Sequence, residues 1–363
     1  MSDFNNPFSI CFVLMKQRYN DYDNSIEKLN FVNRNDKINV FINFESVLSN
    51  LSMIKDIDNK LLLERNFPII LESEALNLCA HYKRFFVDNG LPTRVFLYYT
   101  DLESDNFTNF KYNDEFRSYY SNKYLRNPRF ELLGTKMVNT IIPDLKKILE
   151  FIPNVNFISA RNIDGSLIPY IIAQSDPSYK NFIITQDKYD SQYMLYNNKF
   201  CTHYLRRPIG APAKVYTRLE DLIRALIGDD SAMDLLINPA FYSMFVGVDG
   251  DKPRSIDPIK GVGMKTLVKY LNDAVSGGKL TKDTESINLI KEAIPSDIAS
   301  DMGINFNCTN LESQYSDLSV DDIFKITNQI TNRFDFSSLL ELNSTRFKNY
   351  PLMLNELTSE VRC

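Results

Sequence analysis

The segment from residue 250 to residue 271 has residue types and spacings that suit contact with phosphate groups. Within it, Gly261-Val-Gly263 stands directly before a run with the apolar spacing of a helix. Such a turn presents successive backbone N–H groups at a helix N-terminus, where anions bind. Lys265 and Thr266 add donors in the first helical turn. The pattern predicts a helix-hairpin-helix motif that holds a nucleic-acid backbone without reading bases. An ordinary glycine-containing turn is the alternative.

The rest of the chain indicates which elements position this segment. Short apolar runs alternate with segments of helical spacing, as is typical of crossover units around a parallel sheet. The predicted strands are 37–43, 94–99, 155–158 and 181–185, and the predicted helices are 72–89, 137–151 and 164–174. From residue 217 onward the pattern is helical or irregular. We therefore predict an N-terminal extension (1–36), an α/β domain (37–210) and a helical part (211–363).

The charge balance limits the kind of partner. The 363 residues include 41 Lys and Arg against 46 Asp and Glu, a formal net charge of -5. This excludes a protein that binds polyanions over its whole surface, so a nucleic-acid site must be a local basic patch. A stretch rich in basic and aromatic residues is a candidate for contact with a single strand, and a solvated helix face is the alternative. Its basic residues are Lys111, Arg117, Lys123, Arg126 and Arg129.

Cysteine and histidine usage points to a soluble intracellular protein. The 5 cysteines are odd in number and far apart, which favours reduced thiols over a disulfide framework or a zinc site. We predict that His81 packs within an apolar helix and that His203 lies at the surface. No apolar run has the length of a membrane span. Asp3 precedes the apolar run 8–15 at a point where a signal peptide needs positive charge.

At the 250–271 segment the chain resembles the flap endonuclease and 5′-3′ exonuclease family. That family has Gly-Asp-x-x-Asp-Asn-Ile, a short spacer and Gly-(Ile/Val)-Gly-x-Lys-Thr. The residues kept here in ungapped register are Gly250, Asp251, Ile256, Gly261, Gly263, Lys265 and Thr266. The run 184–190 resembles the family's Thr-Gly-Asp-Lys-Asp, and 111–120 resembles its Tyr/Arg/Lys-rich arch. The resemblance implies a PIN-like parallel sheet flanked by helices, with a helix-hairpin-helix in the helical part.

The resemblance also implies hydrolysis with two divalent ions, Mg²⁺ or Mn²⁺, held by a cluster of carboxylates. The positions that match these carboxylates read Asn43, Asp164, Ser166, Leu167, Asp187, Tyr189, Asp251 and Arg254. Asp164, Asp187 and Asp251 keep the acid, four positions are neutral, and one is a cation. The guanidinium of Arg254 would itself neutralise part of the remaining negative charge. The site is therefore predicted to be degenerate.

Neighbouring acids are candidates for compensation. Glu45 lies two residues after Asn43 and so shares its face on a strand. Asp101 follows the second predicted strand, and Asp190 is adjacent to Tyr189. We predict metal ligation by the three retained acids, with these further acids as additional ligands. For each retained acid, capping of a helix or of the hairpin is the alternative.

Three functions follow from these observations. The first is a protein with the flap-endonuclease fold that binds branched or single-stranded DNA and has little or no cleavage activity. It would act alone or with protein partners in a replication or viral assembly, without a membrane, and its source would be a phage or another virus. The second is an active Mg²⁺-dependent 5′ nuclease whose carboxylates have moved. The third is a protein-binding scaffold without nucleic acid, which predicts that the Gly261–Thr266 turn is covered by another part of the chain.

Overall fold

The computed structural model describes most of the chain between residues 33 and 331. The described residues are 33, 36–44, 46–47, 63–101, 142–161, 163–196, 198–206, 214–228, 232–250 and 257–331. The predicted extension at 1–36 lies outside them except for positions 33 and 36. The predicted basic stretch at 111–129 lies entirely outside them.

A six-stranded sheet forms the α/β part of the structure. The strands are β1 Lys37–Asn43, β2 Thr93–Asp101, β3 Val155–Arg161, β4 Tyr179–Thr185, β5 Phe200–Arg206 and β6 Lys214–Tyr216. Their spatial order is β3-β2-β1-β4-β5-β6. Neighbouring strands run parallel from β3 to β5, and β6 pairs antiparallel with β5. The predicted α/β class with a parallel sheet flanked by helices is confirmed, and β6 adds an antiparallel edge that the sequence pattern did not indicate.

Helices pack around the sheet, and further helices, joined by turns, follow it in the chain. Those around the sheet are α1 Leu63–Asp88, α2 Ile142–Leu149 and α3 Ile168–Ser175. Those after the sheet are α4 Leu219–Ile227, α5 Met233–Leu236, α6 Pro239–Gly247, α7 Met264–Ser276, α8 Ile287–Ala293, α9 Ser296–Thr309, α10 Leu311–Ser316 and α11 Val320–Thr327. The predicted helix 164–174 is instead a short 3₁₀ turn, Gly165–Leu167, followed by α3. Pro169 in the first turn of α3 fits this division, since proline suits the start of a helix.

The parallel strands are nearly continuous runs of apolar residues, which favours their burial inside the sheet. β1 is buried from Ile38 to Asn43, as expected for a parallel strand covered on both faces. Its internal polar residue, Asn39, donates a side-chain hydrogen bond to Asn181 of β4 at 2.9 Å. Asn39 also accepts one from Arg94 of β2 at 2.9 Å. Because buried polar groups cost free energy unless they are paired, these contacts let an asparagine lie inside the sheet.

The core of the helical part centres on α6, whose residues from Ala240 to Gly247 are all buried. This core also includes Tyr204 of β5 and Tyr216 of β6. Apolar packing therefore crosses the predicted boundary near residue 210, and the division of the chain into domains stays a prediction. Within the described residues, no helix combines the length and the apolar character required to cross a membrane.

The residues after α11 pack against β3, the strand at one edge of the described sheet. The side-chain amide of Gln329 donates to the Ser159 carbonyl oxygen at 2.9 Å and accepts from the Ser159 N–H at 3.0 Å. The backbone N–H of Thr331 donates to Asn156 Oδ1 at 2.8 Å. Gln329 thus pairs with β3 in the way that a residue of a neighbouring strand would, and it covers part of an open sheet edge.

Candidate active site and nucleic-acid interface

The candidate active site lies where the carboxyl ends of three strands meet. β1 lies between β2 and β4, and the order of the strands along the chain reverses between β1 and β4. Open α/β sheets bind their ligands outside the strand ends at such a point. Asn43 ends β1 and is in register with Tyr98 of β2, while Thr185 ends β4.

A fully buried carboxylate, Asp190, joins these strand ends. Its Oδ2 atom accepts hydrogen bonds from Asn43 Nδ2 at 3.2 Å, from the Tyr98 hydroxyl at 2.8 Å and from the Thr185 hydroxyl at 2.6 Å. The amide of Asn43 is held in this orientation because its Oδ1 accepts the Ser46 N–H at 3.1 Å. The other carboxylate oxygen, Oδ1, accepts none of these three hydrogen bonds. The three donors from the strand ends therefore meet on a single oxygen of Asp190.

The protonation of this cluster follows from its burial. Burial and the nearby Asp187 carboxylate raise the pKa of Asp190 to about 7, against hydrogen bonds from Thr185, Tyr98 and the Ser166 side chain that lower it. Burial and the Asp190 carboxylate raise the pKa of Tyr98 well above its usual value of 10. The Tyr98 hydroxyl therefore keeps its proton at neutral pH and remains a donor.

Two of the predicted metal ligands make the backbone contacts of caps. Asp164 is buried, and its Oδ1 accepts the Ser166 N–H at 2.9 Å at the start of the 3₁₀ turn. Asp187 Oδ1 accepts the Tyr189 N–H at 2.9 Å, and its own N–H donates to the Thr185 hydroxyl at 3.0 Å. These contacts are those of the capping alternative. Metal ligation by Asp164 and Asp187 stays a prediction.

The neutral positions divide between the site and the apolar core. Leu167 packs with the apolar residues between the sheet and α3. Tyr189 belongs to the core of the helical part. Its neighbour Asp190, which begins the 3₁₀ helix Asp190–Tyr196, is the residue whose side chain reaches the strand ends. Tyr98 and Thr185 were missed as site residues, although polar side chains near the carboxyl ends of buried strands are a recognisable signal.

A lysine connects the loop after β4 with the start of the hairpin segment. Lys188 Nζ donates a hydrogen bond to the Gly250 carbonyl oxygen. Gly250 has a φ of 66°, a conformation that favours glycine. Because Asp251 follows Gly250 in the chain, this contact brings the two family-like motifs, 184–190 and 250–271, next to each other. Asp251 itself lies outside the described residues, as do Arg254, Glu45 and the side chain of Asp101.

Among the described side chains, the cleft holds no cluster of ligands for a divalent ion. Such an ion needs several oxygen ligands directed at one point. Within the described ranges, no three His, Cys, Asp or Glu side chains lie close enough together to hold one. At the end of β1, Asn43 directs an N–H donor rather than an oxygen toward Asp190. The described residues supply hydrogen-bond donors to this carboxylate where a metal site would supply a cation.

The predicted hairpin turn lies ahead of α7. Gly261 has a φ of 76°, and it is exposed together with Gly263 and Lys265, whereas Thr266 is half-buried. Val262 is buried and anchors the turn in the core of the helical part. Gly263 is the N-cap of α7 and has no side chain to cap its first N–H groups. The turn is thus available to an anion, as its sequence predicts, and nucleic-acid binding there stays a prediction.

His203 differs from its prediction. It is fully buried on β5, with its ring centroid 4.7 Å from that of Phe182, and burial lowers its pKa to about 3. The predicted surface position is wrong because His203 lies on the same sheet face as Phe182, which is covered by Phe86 of α1 at 5.3 Å between ring centroids. Cys79 and Cys201 are also buried, and burial raises the pKa of each thiol to about 12, which disfavours the reactive thiolate.

Comparison with known proteins identifies the fold. No family model and no curated protein matches the chain. A bacteriophage T5 protein co-crystallised with metal ions is 11% identical at a TM-score of 0.50, covering 86% of this chain and 99% of its own. The T5 5′-exonuclease with bound zinc gives the same identity of 11%, TM-score of 0.50, and coverages of 86% and 99%. The chain therefore has the fold of the flap endonucleases and 5′-exonucleases, as its hairpin segment predicts.

Proposed function

We propose that this chain binds branched or single-stranded DNA and has little or no phosphodiester-cleavage activity. The observation that carries this proposal is the set of donors from Asn43, Tyr98 and Thr185 that meet on Asp190 Oδ2, the oxygen directed at the strand ends. In two-metal hydrolysis the ions activate water and neutralise charge on the scissile phosphate. Asn43 supplies neither a negative ligand nor a general base, and its amide stabilises Asp190 without a cation.

The exposed turn before α7 supports the binding half of the proposal. Its backbone N–H groups and the exposed ammonium groups of Lys260, Lys265 and Lys269 can contact successive phosphates of a duplex. Lys265 and Lys269 are four residues apart on α7 and so share one face of the helix. The basic stretch 111–129 would contact the single strand of a branched substrate. Protein partners in a replication or viral assembly are part of the same proposal.

An active Mg²⁺- or Mn²⁺-dependent 5′ nuclease is the second candidate. It is favoured by the Oδ1 atom of Asp190, which accepts none of the three hydrogen bonds from the strand ends, and by the nearby Asp187 carboxylate, which raises the pKa of Asp190. Glu45, Asp101 and Asp251 would then complete the ligand set. The scaffold without nucleic acid is disfavoured because the described residues leave Gly261 and Gly263 exposed.

The test is a cleavage assay and a binding assay on one sample. A 5′-labelled flap substrate is incubated with Mg²⁺ or Mn²⁺, and its affinity is measured in Ca²⁺ and in chelator. We expect binding in both conditions without cleavage, because Asn43 stands where the resemblance implies the first catalytic carboxylate and the described side chains of the cleft form no ligand cluster. The matched variant Asp187→Asn controls for contaminating nucleases, since it removes a carboxylate from the site itself.

Each other outcome selects a different function. Cleavage by the natural chain that disappears in Asp187→Asn would replace the proposal with the active nuclease. Failure to bind flap, duplex and single-stranded DNA would overturn DNA binding altogether and favour the scaffold.

A further inference from the structure

A buried polar network links the candidate active site to the hairpin turn. Two residues after Asp190, Gln192 donates from Nε2 to the Thr309 carbonyl oxygen of α9 at 2.6 Å. Its Oε1 accepts from the Ser243 hydroxyl of α6 at 2.9 Å. Thr309 in turn donates from its hydroxyl to the Ser243 carbonyl oxygen at 3.1 Å and to the Asn305 carbonyl oxygen at 2.8 Å. All four side chains of this network are buried.

At the far end of this network, Asn305 holds both arms of the loop that leads to the turn. Its Nδ2 donates to the Gly247 carbonyl oxygen at 2.9 Å and to the Asp257 carbonyl oxygen at 3.3 Å. The Ile259 N–H donates to the Val248 carbonyl oxygen at 3.0 Å, which closes the base of the same loop. The loop leaves α6 and returns at residue 257, so its two arms are joined by the Asn305 amide and by this one backbone hydrogen bond.

The returning arm runs directly into the turn. The Val262 N–H donates to the Ile259 carbonyl oxygen at 3.1 Å, and both side chains are buried. Exposed Gly261 lies between these anchors. A shift of the 257–259 backbone would therefore move the N–H groups that face a phosphate. Packing at the other arm is close, since a Cβ on Gly247 would lie 3.4 Å from the Asn305 Cβ.

We propose that Asn305 is a positioning residue for nucleic-acid binding, holding the Lys260–Thr266 turn at a fixed place relative to the active-site cleft. This inference rests on the proposed function of the turn. An asparagine suits the role because one amide carries two N–H donors for two carbonyl oxygens. An aspartate has the same shape but presents only acceptors, and it would repel both carbonyl oxygens at neutral pH.

The chain offers a matched control for this test. Asn238 also donates from Nδ2 to two carbonyl oxygens, those of Lys282 at 2.8 Å and Thr284 at 3.0 Å, and it is also buried. Asn238→Asp keeps the Oδ1 contacts to the first N–H groups of α6 and loses only the donors. Both Asn→Asp changes thus remove two N–H donors to carbonyl oxygens and add a carboxylate, and Asn238 lies outside the loop that leads to the turn.

The experiment measures affinity for a 5′-flap duplex together with hydrogen exchange. We expect Asn305→Asp to weaken binding by about tenfold, the equivalent of one charge-assisted contact, and Asn238→Asp to leave it within about twofold. Amide exchange at Ile259 and Val262 is expected to accelerate only in the first variant. Lys265→Ala is expected to weaken binding less in the Asn305→Asp background than alone, because both changes act through the turn.

The outcomes separate this inference from the function on which it rests. Equal affinity and equal exchange in the two Asn→Asp variants would overturn the role of Asn305. If the natural chain binds no DNA, the proposed function is wrong. Faster exchange at Ile259 and Val262 in Asn305→Asp would still show that Asn305 holds the two arms of the loop. If Asn305→Asp does not fold, Asn305→Ala removes the donors without adding charge, and unchanged affinity in that variant would equally contradict the proposal.

Discussion

The side chains around Asp190 illustrate how a buried carboxylate is stabilised without a cation. Hydrogen bonds from Asn43, Tyr98 and Thr185 converge on one of its oxygens. A hydrogen bond to a charged group contributes about 1.5–3 kcal/mol, and a buried partner left without its donor loses more than that contact. Each of these donors therefore contributes to the stability of the folded chain as well as to the chemistry of the cleft.

Asp190 and His203 give opposite pH dependences to this stability. The folded chain holds a proton on Asp190 that the unfolded chain releases between a pH of about 4 and about 7, so this group loses stability as the pH rises through that window. Because burial lowers the pKa of His203 to about 3, the unfolded chain takes up a proton that the folded chain refuses. That group loses stability as the pH falls from about 6.5 toward 3.

Variants at these two residues are expected to change the pH profile in opposite directions. Relative to the natural chain, Asp190→Asn should make the unfolding free energy rise more steeply between a pH of about 4 and about 7, and His203→Gln should make it rise less steeply. Urea unfolding at several pH values measures both slopes. Asp297→Asn, a change at an exposed acid of α9, serves as the control. Slopes equal to that of the natural chain in both variants would show that neither burial effect is as described.

At the residue scale, the location of the candidate site at the end of β1 was easier to predict than the side chains that form it. The position matched to Asn43 does lie at the end of β1, and Asp190 was a candidate. The contact of Tyr98 with Asp190 was not predictable, because it depends on the register of β1 against β2. Burial of the aspartate, which decides its pKa, is likewise a property of the folded chain alone.

The turn and helix α7 are the element on which the binding proposal depends. Two glycines of positive φ flank this helix, Gly261 at 76° and Gly278 at 72°, and a Cβ on either would meet nothing within 4 Å. Alanine at each position is expected to lower the unfolding free energy by about 1 kcal/mol, because the left-handed conformation disfavours a Cβ. Only Gly261→Ala should weaken binding to flap DNA, since only Gly261 lies in the turn that we propose binds phosphates.

Thermal unfolding and a binding titration on the two glycine variants check this expectation. Gly278→Ala is the matched control, with the same backbone strain at the opposite end of α7. Equal losses of affinity in both variants would indicate that general destabilisation, rather than the turn, governs binding.

At the element scale, the first four strands were predictable from their apolar runs, whereas β5 and β6 were not among the predicted strands. The strand at Lys37–Asn43 and the helix ending near Asp88 follow from their apolar spacing and from Gly90. Strand β6 has only 3 residues, and its pairing with β5 comes from tertiary contact rather than from its own pattern. The error at His203 has a different cause, since the packing of α1 over its face of the sheet is also a tertiary contact.

At the scale of the whole molecule, the net charge of -5 repels DNA, so the proposed binding depends on a local group of lysines. We expect the affinity for flap DNA to fall steeply with salt, because local lysines release counterions from the phosphates. Lys260→Ala, Lys265→Ala and Lys269→Ala are each expected to reduce the slope of log affinity against log salt by about 0.9. Lys147→Ala, at an exposed lysine of α2, should leave the slope unchanged.

Titrations at several salt concentrations measure these slopes. A triple variant with the slope of the natural chain would show that the turn and α7 do not contact phosphates. Because net charge is summed over all residues, composition argues only against a protein that binds polyanions over its whole surface. The exposure of these three lysines near one turn emerged only from the fold.

Because the chain is made from its N-terminus, the contacts of Gln329 and Thr331 with β3 form late in synthesis. All six strands have left the ribosome once residue 216 has emerged, yet the residues that cover Ser159 and Asn156 are made more than a hundred residues later. At about 5–20 residues per second, this edge stays open for roughly 5–25 s. During that interval the edge strand of a nascent sheet can pair with the same strand of another chain on the polysome, a pairing that Gln329 and Thr331 prevent once they reach β3.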